Sequence, residues 1–271
     1  LLPADKLKEN IVRAHEADFT PWEVLKKYFK GVDSGSEKLQ IPNGYNGELF
    51  KPDVVLDALE ISDAICKKFI DLGDYDFDDE LSVNILGHIF EQSISDLEQL
   101  KIDLLGTEVE TDELVENKKT SKRKKDGIFY TPEYIVDYIV QNSLMKYLSE
   151  KEDECLAKYK DEQKAYQAYQ QILQNVKVLD PACGSGAFLV KVFDVLYTEN
   201  QRVGTLIGGL FDESDTYKNI LTNNIYGVDL NPESVEITKL SLWLKSAQKG
   251  RKLNNLDKNI KCGNSLIDDP A

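Results

Sequence analysis

A short apolar run that ends in Asp-Pro, turns through Gly-x-Gly and enters an apolar helix constrains this chain more than any other stretch. It reads Val178-Leu179-Asp180-Pro181-Ala182-Cys183-Gly184-Ser185-Gly186-Ala187-Phe188. The pattern predicts a strand, a tight turn and a helix, the repeating unit of α/β folds. Gly184 and Gly186 let the backbone turn sharply and come close to a ligand, as in a nucleotide-type cofactor loop. Asp180, at the strand end, offers carboxylate oxygens to a donor such as an ammonium group. Position 189 is Leu, so the stretch is not a G-x-G-x-x-G dinucleotide loop. No Gly-Lys-Ser/Thr follows, so it is not a phosphate loop either.

Three other segments carry related signals. Gly127-Ile128-Phe129-Tyr130-Thr131-Pro132 precedes a helical stripe of Ile135, Val136, Ile139, Val140 and Leu144. Thr131 suits the N-cap and Pro132 the first helical position. The free N–H groups of such a helix start can receive a carboxylate. Asn224-Ile225-Tyr226-Gly227-Val228-Asp229-Leu230-Asn231-Pro232 is a β-rich run ending in an acid, whose two oxygens suit a ribose diol. Asp229 lies 43 residues beyond Gly186, whereas in a dinucleotide fold the acid follows after about 20. The gap holds a helix over about 187–198 and an extra segment through Asp215. Asn259-Ile260-Lys261-Cys262-Gly263-Asn264-Ser265-Leu266 reads as a third strand and its turn. Strands are expected at 176–180, 225–229 and 259–262, in a doubly wound α/β sheet that binds ligand at the carboxyl ends.

The stretch Asp180–Phe188 resembles motif I of the DNA amino-methyltransferases that use S-adenosyl-L-methionine (AdoMet). Residues 127–132 resemble motif X of the same enzymes, 224–232 motif II and 259–266 motif III, where many relatives have Asp at the position of Asn264. Either side chain accepts a hydrogen bond from the cofactor adenine amine. The resemblance implies that Asp180, Ala182, Gly184 and Gly186 surround the methionine part of AdoMet, with Phe129, Tyr130 and Thr131 closing over it. It implies that Asp229 holds the ribose, and that Leu230, Asn264 and Ser265 frame the adenine. The motif order X, I, II, III places the cofactor half before the catalytic half. The catalytic Asn-Pro-Pro-Tyr/Phe motif does not occur; Asn231-Pro232 is followed by Glu233. The expectation is a fragment with the cofactor half of the sheet, whose first strand has one edge unpaired, and with no catalytic residue of its own.

The chain has 271 residues, enough for one large or two modest domains. It begins with Leu rather than Met, shows no signal-peptide pattern, and has no apolar stretch long enough to span a membrane. Cys66, Cys155, Cys183 and Cys262 are scattered without C-x-x-C spacing; they are expected to be reduced thiols of a cytoplasmic protein, with no metal site and no redox role for Cys183. The net charge of −15 runs against phosphate binding. Residues 1–117 carry 27 acids and 11 bases, however, and residues 118–271 carry 21 acids and 22 bases. The acidic excess therefore belongs to the N-terminal part, and most of the surface for double-stranded DNA is expected beyond the C-terminal end of this chain.

Residues 1–117 are expected to form an acidic, mostly helical domain, 118–125 a basic linker, and 126–271 the cofactor half. Thr20-Pro21 starts a helix with Trp22, Leu25, Tyr28 and Phe29 on its apolar side, ended by a polar loop at 31–36. A turn-rich segment spans 41–50, a helix runs from about Pro52 to Leu72 on Val55, Ala58, Leu59 and Ile65, and another begins near Asp78. Tyr45-Asn46-Gly47-Glu48-Leu49-Phe50 and Leu86-Gly87-His88-Ile89-Phe90-Glu91 resemble the helical region ahead of motif X in type IIG restriction–modification enzymes. Type I modification subunits also carry a helical domain there. Lys118–Lys125 puts six cations in eight residues, either a solvated linker or a contact to DNA backbone. Residues 150–174 predict one long, largely exposed helix. The acids at 74–80 lack the Gly and Glu of a calcium loop and read as a helix start. His15 and His88 read as structural or surface residues.

The resemblance as a whole implies a DNA adenine-N6 methyltransferase region of a restriction–modification protein, with a restriction or specificity domain or subunit as a further partner. Its target adenine leaves the base stack, and the methyl group moves directly from AdoMet. Cytosine-N4 methylation, methylation of RNA or of protein glutamine, and a non-catalytic assembly module on the same fold stay open. A nicotinamide oxidoreductase is disfavoured by Leu189 and by the spacing to Asp229.

Overall fold

In a computed structural model, the described residues are 20–39, 52–71, 131–209, 212–246 and 254–267, with single positions at 9, 44, 85, 87, 89 and 93. They divide into two compact units, Leu1–Ser82 with Ser246–Asn255, and Val83–Lys245 with Leu256–Ala271. The basic run 118–125, the acids at 74–80, both histidines, Phe129 and Tyr130 lie outside the described residues.

In the first unit, α1 (Pro21–Ser34) starts at Thr20 with a reciprocal cap. The Thr20 hydroxyl accepts from the Glu23 amide at 3.2 Å, and the Glu23 carboxylate accepts from the Thr20 amide at 2.8 Å, satisfying two end donors at once. The helix continues past Gly31 and stops at Gly35. The expected single helix over 52–72 is two, α2 (Val54–Ala58) and α3 (Asp63–Asp71). Val55, Leu59 and Ile65, read as its apolar face, are exposed. What is buried instead is Cys66, against Trp22 and Leu25. The Trp22 indole N–H donates to the carbonyl of Leu59 at 2.7 Å, which uses the break between α2 and α3 as an acceptor.

In the second unit, α4 (Glu133–Val140) runs through a π-helical turn at 141–145 into α5 (Lys146–Lys158). Val136, Val140, Leu144 and Leu148 form its buried stripe, while Ile139 is exposed. The N-cap is Pro132, not Thr131. Pro132 has no side-chain acceptor, and its carbonyl takes the amides of Ile135 and Val136. The long helix expected over 150–174 is broken at 159–161, and α6 (Glu162–Asn175) begins at Asp161, whose carboxylate caps it. Nor is α6 largely exposed: Ala165, Tyr169 and Leu173, one turn apart, are buried.

Strand β1 (Val178–Asp180) follows. The next helix, α7, spans Ala187–Ile207 and ends at left-handed Gly208, a turn and more beyond the expected end. Then come α8 (Glu213–Asn219), a π-helical turn at 220–224, β2 (Ile225–Asp229), α9 (Pro232–Ser246) and β3 (Ile260–Cys262). The three strands are parallel in the order β1-β2-β3, with Leu179 opposite Tyr226 and Val228 opposite Lys261. One sheet face is covered: Gly227 lies against Leu189 of α7, and a Cβ there would come within 2.8 Å of it. Leu179, on the other face, is 60% exposed, unusual for a parallel sheet. Among the described residues no helix is long and apolar enough to cross a membrane.

A buried amide joins α6 to β2. Asn224 is fully buried; its Nδ2 donates to the carbonyls of Leu173 at 3.0 Å and Val176 at 2.7 Å, and its Oδ1 accepts from Asn219 at 3.1 Å. These are end carbonyls that the helix itself cannot satisfy. Asn224→Ala is expected to lower stability by roughly 2–3 kcal/mol in urea unfolding. A loss below about 0.5 kcal/mol would show that water satisfies those carbonyls just as well.

Candidate functional site

The Gly-x-Gly loop is held by bonds from elements far away in sequence. The Asp229 carboxylate, nearly buried, accepts from the Gly184 amide at 2.8 Å through Oδ2 and from the Asn231 amide at 2.9 Å through Oδ1. The Cys183 amide donates to the carbonyl of Val228 at 2.9 Å. The Thr238 hydroxyl of α9 donates to the carbonyl of Gly184 at 2.8 Å. Both glycines have positive φ, 53° at Gly184 and 88° at Gly186, the left-handed region that favours glycine. Gly186 is also the N-cap of α7 and provides no side-chain cap.

Asp180 is half-buried beside this loop. Its Oδ1 accepts from the Ala182 amide at 3.1 Å, while Oδ2 is buried with no hydrogen-bond partner among the described residues. Burial pushes its carboxyl above the usual aspartate range; the Ala182 amide opposes this and the charge of Asp229 adds to it. A buried acceptor without a donor is costly and marks a place where a donor belongs. Cys183 is a different case. Burial pushes its thiol up to about 12, against a contact from the Thr238 hydroxyl, so it stays protonated at neutral pH and is a poor nucleophile.

Of the other expected residues, Leu230, Asn264, Ser265 and Thr131 are among those described. Leu230 follows Asp229 and is 52% exposed. The Gly263 amide donates to the carbonyl of Asp229 at 2.9 Å, which brings the turn after β3 alongside, with Asn264 and Ser265 both exposed. Asn264 Oδ1 accepts from the Leu266 amide at 3.0 Å, leaving its second lone pair open. Thr131 stands at the start of α4, and α4 is joined to α7 by an ion pair between Asp137 and Lys191 at 2.6 Å. Asn231 caps α9, its Oδ1 accepting from the Ser234 amide at 2.8 Å.

Sequence reasoning missed Thr238 and Ser241, whose hydroxyls reach the loop carbonyls of Gly184 and Ser185. Only their one-turn spacing on a helix after the acid gave any hint of them. Among the described residues no group of His, Cys, Asp and Glu is arranged to hold a metal ion. A cavity of about 520 Å³ lies toward the far end of α7, lined by Gln174, Asn200, Gly204 and Asp212 among others; it does not involve the loop.

Residues 156–266 match the family model described as MmeI, DNA-methyltransferase domain. That stretch contains the loop, all three strands and the turn after β3. That stretch is similar to a DNA-methyltransferase domain. Similar proteins agree with this. RM.MjaORFECS2P of Methanocaldococcus jannaschii, a type II restriction enzyme and methyltransferase by name, is 29% identical over 220 residues, covering 69% of this chain and 17% of its own. The type II restriction enzyme and methyltransferase RM.Eco57I of Escherichia coli is 29% identical over 285 residues, covering 93% of this chain and 25% of its own. The adenine-specific methyltransferase BrxX of Escherichia coli is 26% identical over 224 residues, covering 76% of this chain and 16% of its own. The chain thus spans a quarter or less of the length of these relatives. Within the matched stretch, the carboxylates of Asp180 and Asp229 both bond amides at or beside the Gly-x-Gly loop.

Proposed function

We propose that this chain carries the AdoMet-binding part of a site-specific DNA adenine-N6 methyltransferase of a restriction–modification system. The observation that carries the reading is Asp180 Oδ2, buried beside the Gly-x-Gly loop and without a partner among the described residues. An ammonium group, such as that of AdoMet, is the missing donor in kind and in charge. Asp180 and Asp229 together favour a cationic ligand, whereas the pyrophosphate of a nicotinamide dinucleotide would meet two carboxylates and a Gly184 amide already bonded to one of them. Three parallel strands in the order β1-β2-β3 support the doubly wound sheet of the methyltransferases.

In this reading Asp180, Ala182, Gly184 and Gly186 surround the methionine part, with Phe129, Tyr130 and Thr131 on the motif X side. Asp229 has lone pairs left for ribose hydroxyls after its two backbone bonds. Leu230, Asn264 and Ser265 frame the adenine. When bound, AdoMet supplies an activated methyl group; the residues of this chain bind and orient it. The domain division at 117 and 126, the double-stranded DNA substrate and a restriction or specificity partner belong to the same proposal. The adenine target draws on the names of the relatives.

Calorimetric titration of AdoMet into the chain, with NADH as control, tests the reading, and Asp180 gives it a signature in pH. Because the buried carboxyl is raised, the folded chain holds a proton that the unfolded chain releases. This group therefore favours folding below the ordinary aspartate value, and that contribution is lost as pH rises through the raised value. An ammonium ligand needs the carboxylate, so AdoMet affinity is expected to rise with pH across the same window. Asp180→Asn is expected to flatten that dependence, weaken AdoMet binding, and raise the melting temperature of the ligand-free chain at neutral pH. Unchanged affinity in Asp180→Asn would sink the assignment of Asp180.

A further inference from the structure

We infer that Gly87 is a positioning residue for the Gly-x-Gly loop, so that the helix upstream of motif X forms one wall of the cofactor site. The inference rests on the AdoMet reading and extends it to a segment that the reading did not use. Residues 85, 87, 89 and 93 are helical; Ile85 and Ile89 are exposed, while Gly87 is buried. Glycine inside a helix weakens it relative to alanine, so its presence there asks for a reason.

The reason is Ser185. A Cβ on Gly87 would lie 2.8 Å from Ser185 Oγ and 2.9 Å from Ser185 Cβ. The hydroxyl can rotate away, but the Cβ moves only with its backbone. It would have to retreat by roughly 0.6 Å to reach ordinary contact. On its other side the loop is already held by α9: a Cβ on Gly186 would meet Thr238 atoms at 3.0 Å, and the Ser241 hydroxyl donates to the carbonyl of Ser185 at 3.4 Å. Ser185 therefore sits between two helices with no slack. It is flanked by Gly184 and Gly186, both at positive φ, so pressure on it passes directly into the loop. The bond from the Gly184 amide to Asp229 is one residue away.

The test is Gly87→Ala in the 271-residue chain, with AdoMet affinity by calorimetry and hydrogen exchange at the Gly184 amide as readouts. The helix gains stability from the alanine and the crowding costs as much or somewhat more, so the unfolding midpoint is expected to hold or fall slightly. AdoMet affinity is expected to fall about tenfold, and Gly184 to exchange faster. Ser185→Gly removes both crowding atoms, so Gly87→Ala added to Ser185→Gly is expected to have little further effect. Wild-type affinity and exchange in Gly87→Ala, or an equal loss in both backgrounds, would overturn the inference. If the wild-type chain does not bind AdoMet, the cofactor reading fails by itself. The exchange comparison, and its dependence on Ser185, still decides whether Gly87 sets the loop.

Discussion

Asp229→Ala is expected to abolish AdoMet binding, with a loss of more than about 100-fold, and to lower stability by roughly 2–4 kcal/mol. Asp229 ends the middle strand and is nearly buried. Its carboxylate satisfies two amides, Gly184 in the loop and Asn231 at the start of α9. Its carbonyl takes a third, Gly263 after β3. Truncation leaves the first two amides without their acceptor, and the loop loses the carboxylate bonded to its Gly184 amide. Asp229→Asn is the informative comparison. It keeps one acceptor oxygen but turns an NH2 group toward the other amide, so affinity and stability should fall between wild type and Asp229→Ala. Calorimetry and urea unfolding on the three proteins separate the effects. Wild-type affinity in Asp229→Ala would show that the ligand does not sit at this strand end.

The largest effect on folding is expected from Gly186→Val, roughly 3 kcal/mol or more by thermal unfolding. Two costs act together. At φ 88° a β-branched side chain is strained wherever it points. The first added carbon would also lie 3.0 Å from the Thr238 side chain and 3.2 Å from its Cα, and the Cα cannot rotate out of the way. Gly186 starts α7, the longest helix described, whose buried Leu189, Val192, Phe193 and Leu196 form much of the core. Gly186→Ala shares the backbone strain with a smaller clash and should fall between. A melting temperature for Gly186→Val close to wild type would mean that the loop can relax elsewhere, and that its left-handed turn is not required.

Features written in neighbouring residues were legible from the sequence. The strand, turn and helix from Val178 onward, the two later strands to within two residues, and the α1 cap at Thr20 all follow from local backbone preference and side-chain reach. Helix ends were less legible. Residues 150–174 are good helix formers throughout, yet the helix breaks at 159–161, because Asp161 offers a cap and the second helix packs against the first and against α7. Val55, Leu59 and Ile65 have helical spacing yet are exposed, while Cys66 packs against Trp22 and Leu25. Periodicity tells which residues share a face, not whether that face finds a partner.

The same limit applies at the loop. Its glycines and its two acids could be named from the sequence, because a sharp turn and a strand-end carboxylate are local chemistry. That Asp229 bonds the Gly184 amide 45 residues away, that Thr238 and Ser241 close the loop from α9, and that Gly87 leaves room for Ser185 were decided only by the tertiary structure. Those contacts join segments whose separation along the chain carries no local signal, and they form only when the sheet and its helices bring the segments together.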